Sequence, residues 1–268
     1  MNYFTDTETL NLLTAKTELQ KAIDHEEFVL YYQPQIKIET GELSGIEALV
    51  RWNHPDFGLI SPDKFIPLAE QTYLIGSLGQ WILNTACCQN QAWQNLGLPP
   101  LIISVNLSAY QLESPSLGKI VKKVLKETRL EPQWLEFEIT EEAILSNPEM
   151  AHQALLDLKQ IGVHLSLDDF GSGYSSLSYL SKFPFGTLKI AQSCIENLTE
   201  DYQAISLISV IISLGKMLDM RVIAEGVETQ KQLDILRNLD CREVQGYLLS
   251  QPLTQEEATS FLALYYGF

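Results

Sequence analysis

The chain has 268 residues, of which 46% are apolar and 19% are charged, and its 34 acidic and 18 basic residues give a formal net charge of −16 at pH 7. This apolar content supports a complete hydrophobic core, while the excess of acidic residues repels polyanions and argues against a nucleic-acid polymer as a partner. No apolar run reaches the roughly 18 residues of a membrane span, and residues 1–10 lack the basic-then-apolar layout of a signal peptide, so we expect a cytoplasmic protein with no membrane segment in this chain.

Eight segments along the chain have the composition of β-strands, and stretches with helical spacing lie between most of them. These strands are predicted at residues 28–36, 43–50, 101–106, 134–139, 163–168, 187–190, 221–225 and 242–246. The alternation of strand and helix in a chain of this length predicts an α/β fold, a TIM-like (β/α)8 barrel formed by a single domain.

The connection between the first two predicted strands is much shorter than the others. A connection this short can form a hairpin, whereas a parallel crossover needs about a dozen residues or more. We therefore expect one antiparallel strand in an otherwise parallel barrel. Before it, the stretch TLNLLTAKTELQKAI has helical spacing and predicts an N-terminal helix over residues 8–24 that packs on a barrel spanning residues 28–265.

Polar residues occupy seven of the predicted strands, most of them at the carboxyl end, where the active sites of α/β barrels lie. They are Glu47, Asn106, Glu138, the pair Asp168 and Asp169, Lys189, Glu225 and Gln245. Each has an ordinary explanation when taken alone, because adjacent aspartates form turns, glutamates suit helix N-termini and single lysines are commonly surface residues. Together, however, buried carboxylates at one barrel mouth cost several kcal/mol per ion unless cations compensate them.

The chemistry of this set indicates which cations would compensate it. Carboxylates and one amide oxygen, with no His or Cys nearby, form a hard oxygen-donor set that suits Mg²⁺ or Mn²⁺ better than zinc. Two such ions about 3.5–4 Å apart and bridged by an aspartate would clamp a phosphodiester and activate a water molecule. Lys189 would then stabilise the hydroxide or the developing phosphoryl charge.

Several segments resemble the EAL-domain cyclic di-GMP phosphodiesterase family. They are YYQP (31–34), IEALVRW (46–52), VNLSAYQL (105–112), EITE (138–141), DDFGSGYSSLSYL (168–180), LKI (188–190), VIAEGVET (222–229) and VQGYLLSQPL (244–253). The resemblance implies a single EAL domain over residues 1–268, a barrel with one antiparallel strand, and hydrolysis of cyclic di-GMP to linear pGpG with two Mg²⁺ or Mn²⁺ ions. It also implies a homodimer, coupled to metal binding through the DDFGSG loop, and a fused or partner sensory domain.

The resemblance also implies a role for each matching residue. The implied metal ligands are Glu47, Asn106, Glu138, Asp168 and Asp169. Glu225 is implied as general base or as a ligand of the second metal, and Lys189 as a contact of the nucleophilic water. The implied substrate contacts are Gln33, Leu49, Arg51 and Gln245. Glu141 is expected to hold the DDFGSG loop in place, with Glu228 as a supporting acid.

One position departs from the family pattern. Family members read lysine-isoleucine-aspartate where this chain has Lys189, Ile190 and Ala191, and strand alternation places Ala191 on the same side as Lys189. The missing carboxylate would lie on the second-metal side, and such losses typically cost about 10–100-fold in metal affinity or activity. Two alternatives therefore stand beside a weakened phosphodiesterase: a catalytically degenerate cyclic di-GMP receptor, and an interaction scaffold that binds no ligand. We favour the enzyme, because every other expected ligand is in place.

Overall fold

The computed structural model describes residues 6–173, 180, 182–199 and 202–268, with side chains from residue 14 onward. Residues 174–179 of the DDFGSGYSSLSYL segment therefore lie outside the described residues.

Within the described residues, eight strands close into a barrel and a ninth, short strand forms a hairpin on one of them. The strands are β1 Phe28–Lys37, β2 Leu43–His54, β3 Gly58–Ile60, β4 Ile102–Asn106, β5 Leu135–Thr140, β6 His164–Phe170, β7 Thr187–Ile190, β8 Arg221–Ala224 and β9 Glu243–Gln245. Strand β1 is antiparallel to both of its neighbours, β2 and β9, and the barrel pairs from β2–β4 round to β8–β9 are parallel. The predicted barrel with one antiparallel strand is confirmed; the short strand β3 was not predicted.

The helices cover the outside of this barrel. They are α1 Asp6–Asp24, α2 Pro62–Gln71, α3 Ile75–Asn95, α4 Ala109–Leu112, α5 Leu117–Thr128, α6 Glu141–Ser146, α7 Pro148–Ile161, α8 Gln192–Glu196, α9 Tyr202–Met217, α10 Gln230–Asn238 and α11 Gln255–Tyr266. Apolar residues at helical spacing bury one face, as Val121, Val124 and Leu125 do in α5, while the lysines of that helix stay exposed. Among the described residues, no helix combines the length and the apolarity that crossing a membrane requires.

The turn between β1 and β2 explains the antiparallel pair. Gly41 has φ +71°, a left-handed conformation that glycine adopts at low cost, and its N–H donates to the carbonyl of Lys37. The N–H of Lys37 in turn donates to the carbonyl of Glu42 at 2.8 Å. This compact turn sends the chain directly back along β1.

An ion cluster lies inside the barrel at the amino ends of the parallel strands. Glu136 accepts hydrogen bonds from the hydroxyls of Ser104 at 3.2 Å and Thr187 at 2.8 Å. Arg221 donates through Nε and Nη2 to the two carboxylate oxygens of Glu243, at 3.1 and 2.6 Å, and its Nη1 lies 3.7 Å from Glu136. We call these five residues the basal cluster. Its cation and carboxylates contact one another and occupy the end of the barrel opposite the expected site.

Candidate active site

The carboxyl ends of five strands bring charged side chains to one point in the barrel mouth. Lys189 of β7 is fully buried, and its Nζ lies 2.6 Å from Glu225 Oε1, 2.8 Å from Glu138 Oε1 and 3.1 Å from Glu47 Oε2. Asp168 of β6 is the fourth carboxylate, with Oδ1 at 3.9 Å from the same nitrogen. We call these five residues the mouth cluster, and all of them were among the residues singled out from the sequence.

Strand register explains the convergence. Glu138 on β5 lies opposite Asn106 on β4, and both strands run parallel, so their side chains reach the same end of the barrel. Glu136 and Glu138 are two positions apart and therefore point to the same, inner side of β5, one in the basal cluster and the other in the mouth cluster. The single strand β5 thus supplies a carboxylate to each end of the barrel interior.

Glu47 is held by three donors from different strands. Its Oε1 accepts from Asn106 Nδ2 at 2.9 Å, and its Oε2 accepts from Gln245 Nε2 at 2.7 Å and from Lys189 Nζ at 3.1 Å. Burial pushes the pKa of Glu47 upward, but the Lys189 ammonium and the Gln245 amide outweigh burial and bring that pKa below its ordinary value. Glu47 therefore stays ionised in a fixed orientation.

The other carboxylates of the mouth cluster have raised pKa values. Burial raises the pKa of Glu225 to about 8, against the lowering effect of Lys189. Burial and the charge of Glu47 raise the pKa of Glu138 well above its ordinary value, and burial also raises that of Asp168. Burial alone would lower the pKa of Lys189, but Asp168 and the other three carboxylates raise it far above the usual lysine value. One ammonium thus faces more carboxylates than its single charge neutralises.

Glu138 carries the clearest sign of an unmet interaction. Its Oε2 is buried and has no hydrogen-bond partner among the described residues, and its Oε1 has only the Lys189 ammonium at 2.8 Å, which three other carboxylates share. A buried carboxylate without donors is costly unless a cation accompanies it. A divalent cation would meet this requirement.

The donors present fit a divalent metal ion in their chemistry. Oxygen donors of Glu47, Glu138 and Asp168, with the amide oxygen of Asn106, form a hard set of the kind that Mg²⁺ and Mn²⁺ prefer. In the described part of the chain, however, no three His, Cys, Asp or Glu side chains are grouped around a common metal position. The carboxylates surround the Lys189 ammonium instead, so metal ligation requires some of them to turn away from Lys189.

Asp169 lies outside the mouth cluster. It is exposed, has φ +56°, and donates its backbone N–H to Asp168 Oδ1 at 2.9 Å. The following turn is tight: Gly171 has φ +95°, and a Cβ there would lie 3.0 Å from the sulfur of Cys194 and 3.1 Å from Ile211. Asp169 therefore lies next to Asp168 on a sharply turning segment.

A cavity of about 780 Å³ opens beside the mouth cluster. It is within the range of about 300–1,000 Å³ that small-molecule sites occupy. Leu49 and Ile66 contribute to its apolar wall, Asn106 and Asp169 to its inner side, and Glu70 to its rim. None of the five mouth-cluster residues lines this cavity, but Asn106, which donates to Glu47, and Asp169, which follows Asp168, connect it to the cluster.

The expected substrate contacts differ in how accessible they are. Arg51 is half-buried, lies 5.9 Å from the centre of the Tyr31 ring and donates to the carbonyl of Val50. Gln33 and Gln245 are buried instead, and the Gln245 amide donates to Gln33 Oε1 at 3.0 Å. The amides of both glutamines are thus engaged within the barrel wall.

The two supporting acids lie near the mouth but apart from Lys189. Glu141 is the first residue of α6 and lines a small apolar recess together with Phe170 of the DDFGSG segment. Glu228 is exposed in the loop after β8, where its N–H donates to the side chain of Gln232 at 2.9 Å. The same Gln232 oxygen accepts from the N–H of Thr229, and its amide donates to the carbonyl of Ile195, which ties this loop to α8.

Sequence reasoning missed two buried glutamines, Gln232 and Gln35. A signal was available for each. Thr229 and Gln232 have the T-x-x-Q spacing of a capping box, and Gln35 lies two positions after Gln33, on the same side of β1.

Ala191 is buried, with 1% of its surface exposed, directly after β7. It is the N-cap residue of α8, where it provides no side-chain cap, and its N–H donates to the carbonyl of Phe170 at 3.1 Å. A carboxylate at this position would lie between the Lys189 strand and the Asp168–Phe170 segment. The residue present offers neither a metal ligand nor a cap.

Comparison with known proteins identifies relatives over most of the chain. The model of the EAL domain family matches residues 16–252. The bifunctional diguanylate cyclase/cyclic di-GMP phosphodiesterase MucR of Pseudomonas aeruginosa is 40% identical over 246 residues, which are 92% of this chain and 36% of MucR. The cyclic di-GMP phosphodiesterase NbdA of the same organism is 39% identical over 253 residues, 94% of this chain and 32% of NbdA.

A solved structure shares the fold closely. The PaMucR phosphodiesterase in complex with c-di-GMP superposes with a TM-score of 0.88 and 40% identity, covering 91% of this chain and 99% of that one. The chain spans about a third of the length of the curated relatives it matches, with coverage of 29%, 35% and 36% for three of them.

Proposed function

This chain belongs to the EAL domain family, and we propose that it hydrolyses cyclic di-GMP to linear pGpG. The observation that carries the proposal is the mouth cluster, a set of four carboxylates around one buried lysine beside a cavity of about 780 Å³. Such a concentration of buried acid is expensive for folding alone and is typical of a site that binds cations. The similarity to MucR and NbdA supports the choice of substrate.

We propose that the site takes two divalent ions, Mg²⁺ or Mn²⁺. The ligands would be Glu47, Asn106, Glu138, Asp168 and Asp169. When bound, such ions neutralise the phosphate and lower the pKa of a coordinated water. Water would add to one phosphorus and lose a proton, while the bond from that phosphorus to the 3′ oxygen breaks and the 3′ oxygen takes up a proton. The products of this step are the opened ring, a 5′-phosphate and a 3′-hydroxyl.

In this proposal the protein's own groups orient the reactants and move one proton. Glu225, whose Oε1 lies 2.6 Å from Lys189 Nζ, would accept a proton from the attacking water in its ionised form, which bound cations would favour. Alternatively, it would serve as a ligand of the second ion. Lys189 would stabilise the developing negative charge with its ammonium. Asn106 and Gln245 would keep Glu47 in the orientation described above.

The substrate would lie in the cavity beside the mouth cluster. Leu49, which lines the cavity, would contact a base, and Arg51, two positions further along β2, would reach a phosphate at its edge. Gln33 and Gln245 are hydrogen-bonded to each other, so they would contact substrate only through side-chain atoms that this bond does not occupy. We propose Glu141 and Glu228 as supports of the adjoining loops rather than as groups that touch substrate.

A second candidate function is a cyclic di-GMP receptor that does not turn the ligand over. The observation in its favour is Ala191, which is buried beside the expected second-metal position and supplies no carboxylate. A receptor would keep the cavity and bind ligand without releasing product.

We also propose a homodimer, with a second copy of the chain on α9. Three large apolar residues of this helix are exposed on one side: Leu207 by 45%, Val210 by 64% and Met217 by 76%. Ile211 of the same helix approaches Gly171 of the DDFGSG segment, so a partner on α9 would act on the segment that carries Asp169. Light scattering tests this: Val210→Asp should be monomeric where the unaltered chain is dimeric, and an unaltered chain that is monomeric at high concentration would refute it.

The regulatory setting is proposed from the relatives, which are about three times as long as this chain. We propose that a sensory domain, fused or separate, controls the barrel and that the site operates in the cytoplasm.

A turnover assay distinguishes the two candidate functions. Purified protein is incubated with cyclic di-GMP and MnCl₂, and products are identified by mass spectrometry, with Glu47→Ala as the inactive control. We expect pGpG from the unaltered chain and none from the control. Binding of cyclic di-GMP by calorimetry without product, even at high Mn²⁺, would establish the receptor, and the absence of binding would leave the scaffold.

A further inference from the structure

A chain of buried amides leads through the barrel wall from Gln35 to Glu47. Gln35 Nε2 donates to Gln245 Oε1 at 2.9 Å, and Gln245 Nε2 donates to Glu47 Oε2 at 2.7 Å. Gln35, Gln245 and Glu47 are 0%, 4% and 5% exposed, so water does not supply alternative partners. Gln245 has one carbonyl to satisfy, and Gln35 is the donor that satisfies it.

Gln35 is a poor choice for packing alone. Its own Oε1 is buried and has no hydrogen-bond partner among the described residues. A buried acceptor without a partner costs free energy, whereas an apolar side chain of similar shape carries no such cost. The residue opposite, Gly45, leaves room for this amide, because a Cβ there would lie 2.8 Å from Gln35 Oε1. The local arrangement therefore accommodates an amide that is unfavourable for folding.

We infer that Gln35 is a positioning residue, which holds Gln245 with its NH₂ group toward Glu47 and thereby fixes the carboxylate that the proposed function assigns to the metal. The amide group is nearly symmetric in shape, so packing does not distinguish its two ends. Gln33 Oε1 and Glu47 Oε2 accept from the NH₂ group of Gln245, and Gln35 adds the donor to its carbonyl. Without the donor on Gln35 that carbonyl would be buried with no partner, and Gln245 would hold Glu47 less firmly. The inference rests on the proposed function for the role of Glu47, but not for the hydrogen bonds.

The first test replaces Gln35 with methionine, which has a similar length and no donor. We expect Gln35→Met to bind Mn²⁺ about 10–100-fold more weakly by electron paramagnetic resonance, the size typical of partners one step removed from a ligand. We expect its urea midpoint to be unchanged or higher, because the unpartnered oxygen is removed. Gln89→Met is the matched control, since Gln89 is also a buried glutamine but lies on α3, away from the mouth.

A double-mutant cycle separates action through Gln245 from a general packing effect. If Gln35 acts through Gln245, Gln35→Met has no further effect on the Mn²⁺ Kd in a Gln245→Met background. Independent, multiplicative effects of the two substitutions would overturn the inference. So would a lower urea midpoint of Gln35→Met with an unchanged Mn²⁺ Kd, since that result describes a purely structural residue.

A measurement without metal makes the test independent of the proposed function. The side-chain amide protons of Gln245 are assigned by the loss of their signals in Gln245→Met. They should exchange slowly with solvent in the unaltered chain and at least 10-fold faster in Gln35→Met, because the opening of this hydrogen bond becomes easier. Equal exchange in both proteins would refute the role of Gln35. If the unaltered chain binds no Mn²⁺ at all, the proposed metal site fails, while the exchange measurement still decides this inference.

Discussion

Replacing Lys189 with methionine tests the central physical claim, that the mouth cluster is held together by a cation. The substitution removes the ammonium that lies 2.6 Å from Glu225, 2.8 Å from Glu138 and 3.1 Å from Glu47. Breaking a buried ion pair by removing one partner costs about 3–5 kcal/mol. Several partners would raise this cost, but Glu138 and Glu225, whose pKa values are raised, can take up protons and limit it. We therefore expect a loss of about 3–5 kcal/mol in the free energy of unfolding at pH 7, or roughly 6–20 °C in Tm.

The assay is urea and thermal denaturation in EDTA, repeated with excess Mn²⁺. Because a divalent ion would replace the missing charge, Mn²⁺ should raise the Tm of Lys189→Met by more than it raises that of the unaltered chain. The loss in EDTA should also shrink at pH 5, below the pKa of about 8 of Glu225, because that carboxylate is then protonated and needs no cation. Lys122→Met, at an exposed position of α5, is the control and should stay within about 0.5 kcal/mol of the unaltered chain. A Lys189→Met protein that is fully stable in EDTA at pH 7, or equally responsive to Mn²⁺, would refute the reasoning.

Three further substitutions test separate parts of the account. Ala191→Asp should raise the Mn²⁺-dependent rate of pGpG formation about 10–100-fold; an unchanged rate would show that position 191 does not limit turnover. In EDTA, the stabilising contribution of Glu225 is complete below pH 4.5, its ordinary pKa. The contribution is lost as the pH rises through the folded-state pKa of about 8, because the unfolded chain releases the proton at lower pH than the folded chain does. Glu225→Gln should therefore flatten the fall in unfolding free energy over that range, measured by urea titration at several pH values, and an equally steep fall would contradict the assigned pKa. Arg221→Met should lower the free energy of unfolding by at most about 3 kcal/mol, since Arg221 is partly exposed, by leaving Glu136 and Glu243 without their cation. Its Mn²⁺ Kd should not change, because the basal cluster lies at the other end of the barrel, and a large change would mean that the two clusters are coupled.

Strand positions were predictable because each strand carries its own local signal. Short segments show the periodicity of their apolar residues and their content of β-branched residues, and these signals alternate with those of helices. The hairpin between β1 and β2 follows from the length of one connection. Strand β3 was missed because Gly58–Ile60 is too short to show alternation. It pairs with β2, a contact that the local sequence does not encode.

The members of the mouth cluster were predictable, but their arrangement was not. The rule that barrel sites lie at the carboxyl ends of strands selects Glu138, Lys189 and Glu225 together. Which residue lies at the centre depends on the closure and stagger of the barrel, and those are set by the register of all eight strands. For the same reason the sequence could not show that Gln245 is bonded to Gln35 inside the barrel wall.

The cost of the mouth cluster also bears on the choice between an enzyme and a receptor. A receptor needs a cavity and contacts to the nucleotide, and it gains nothing from Glu138, a fully buried carboxylate that shares one lysine with three other carboxylates. Nor does ligand binding alone require a further carboxylate, Glu225, at 2.6 Å from the same lysine. Buried charges of this kind destabilise a fold unless cations neutralise them, and they are typical of sites where a reaction requires them. Ala191 removes one carboxylate from this set, and the groups that remain are those that a metal-dependent hydrolysis uses, which favours a weakened enzyme over a receptor.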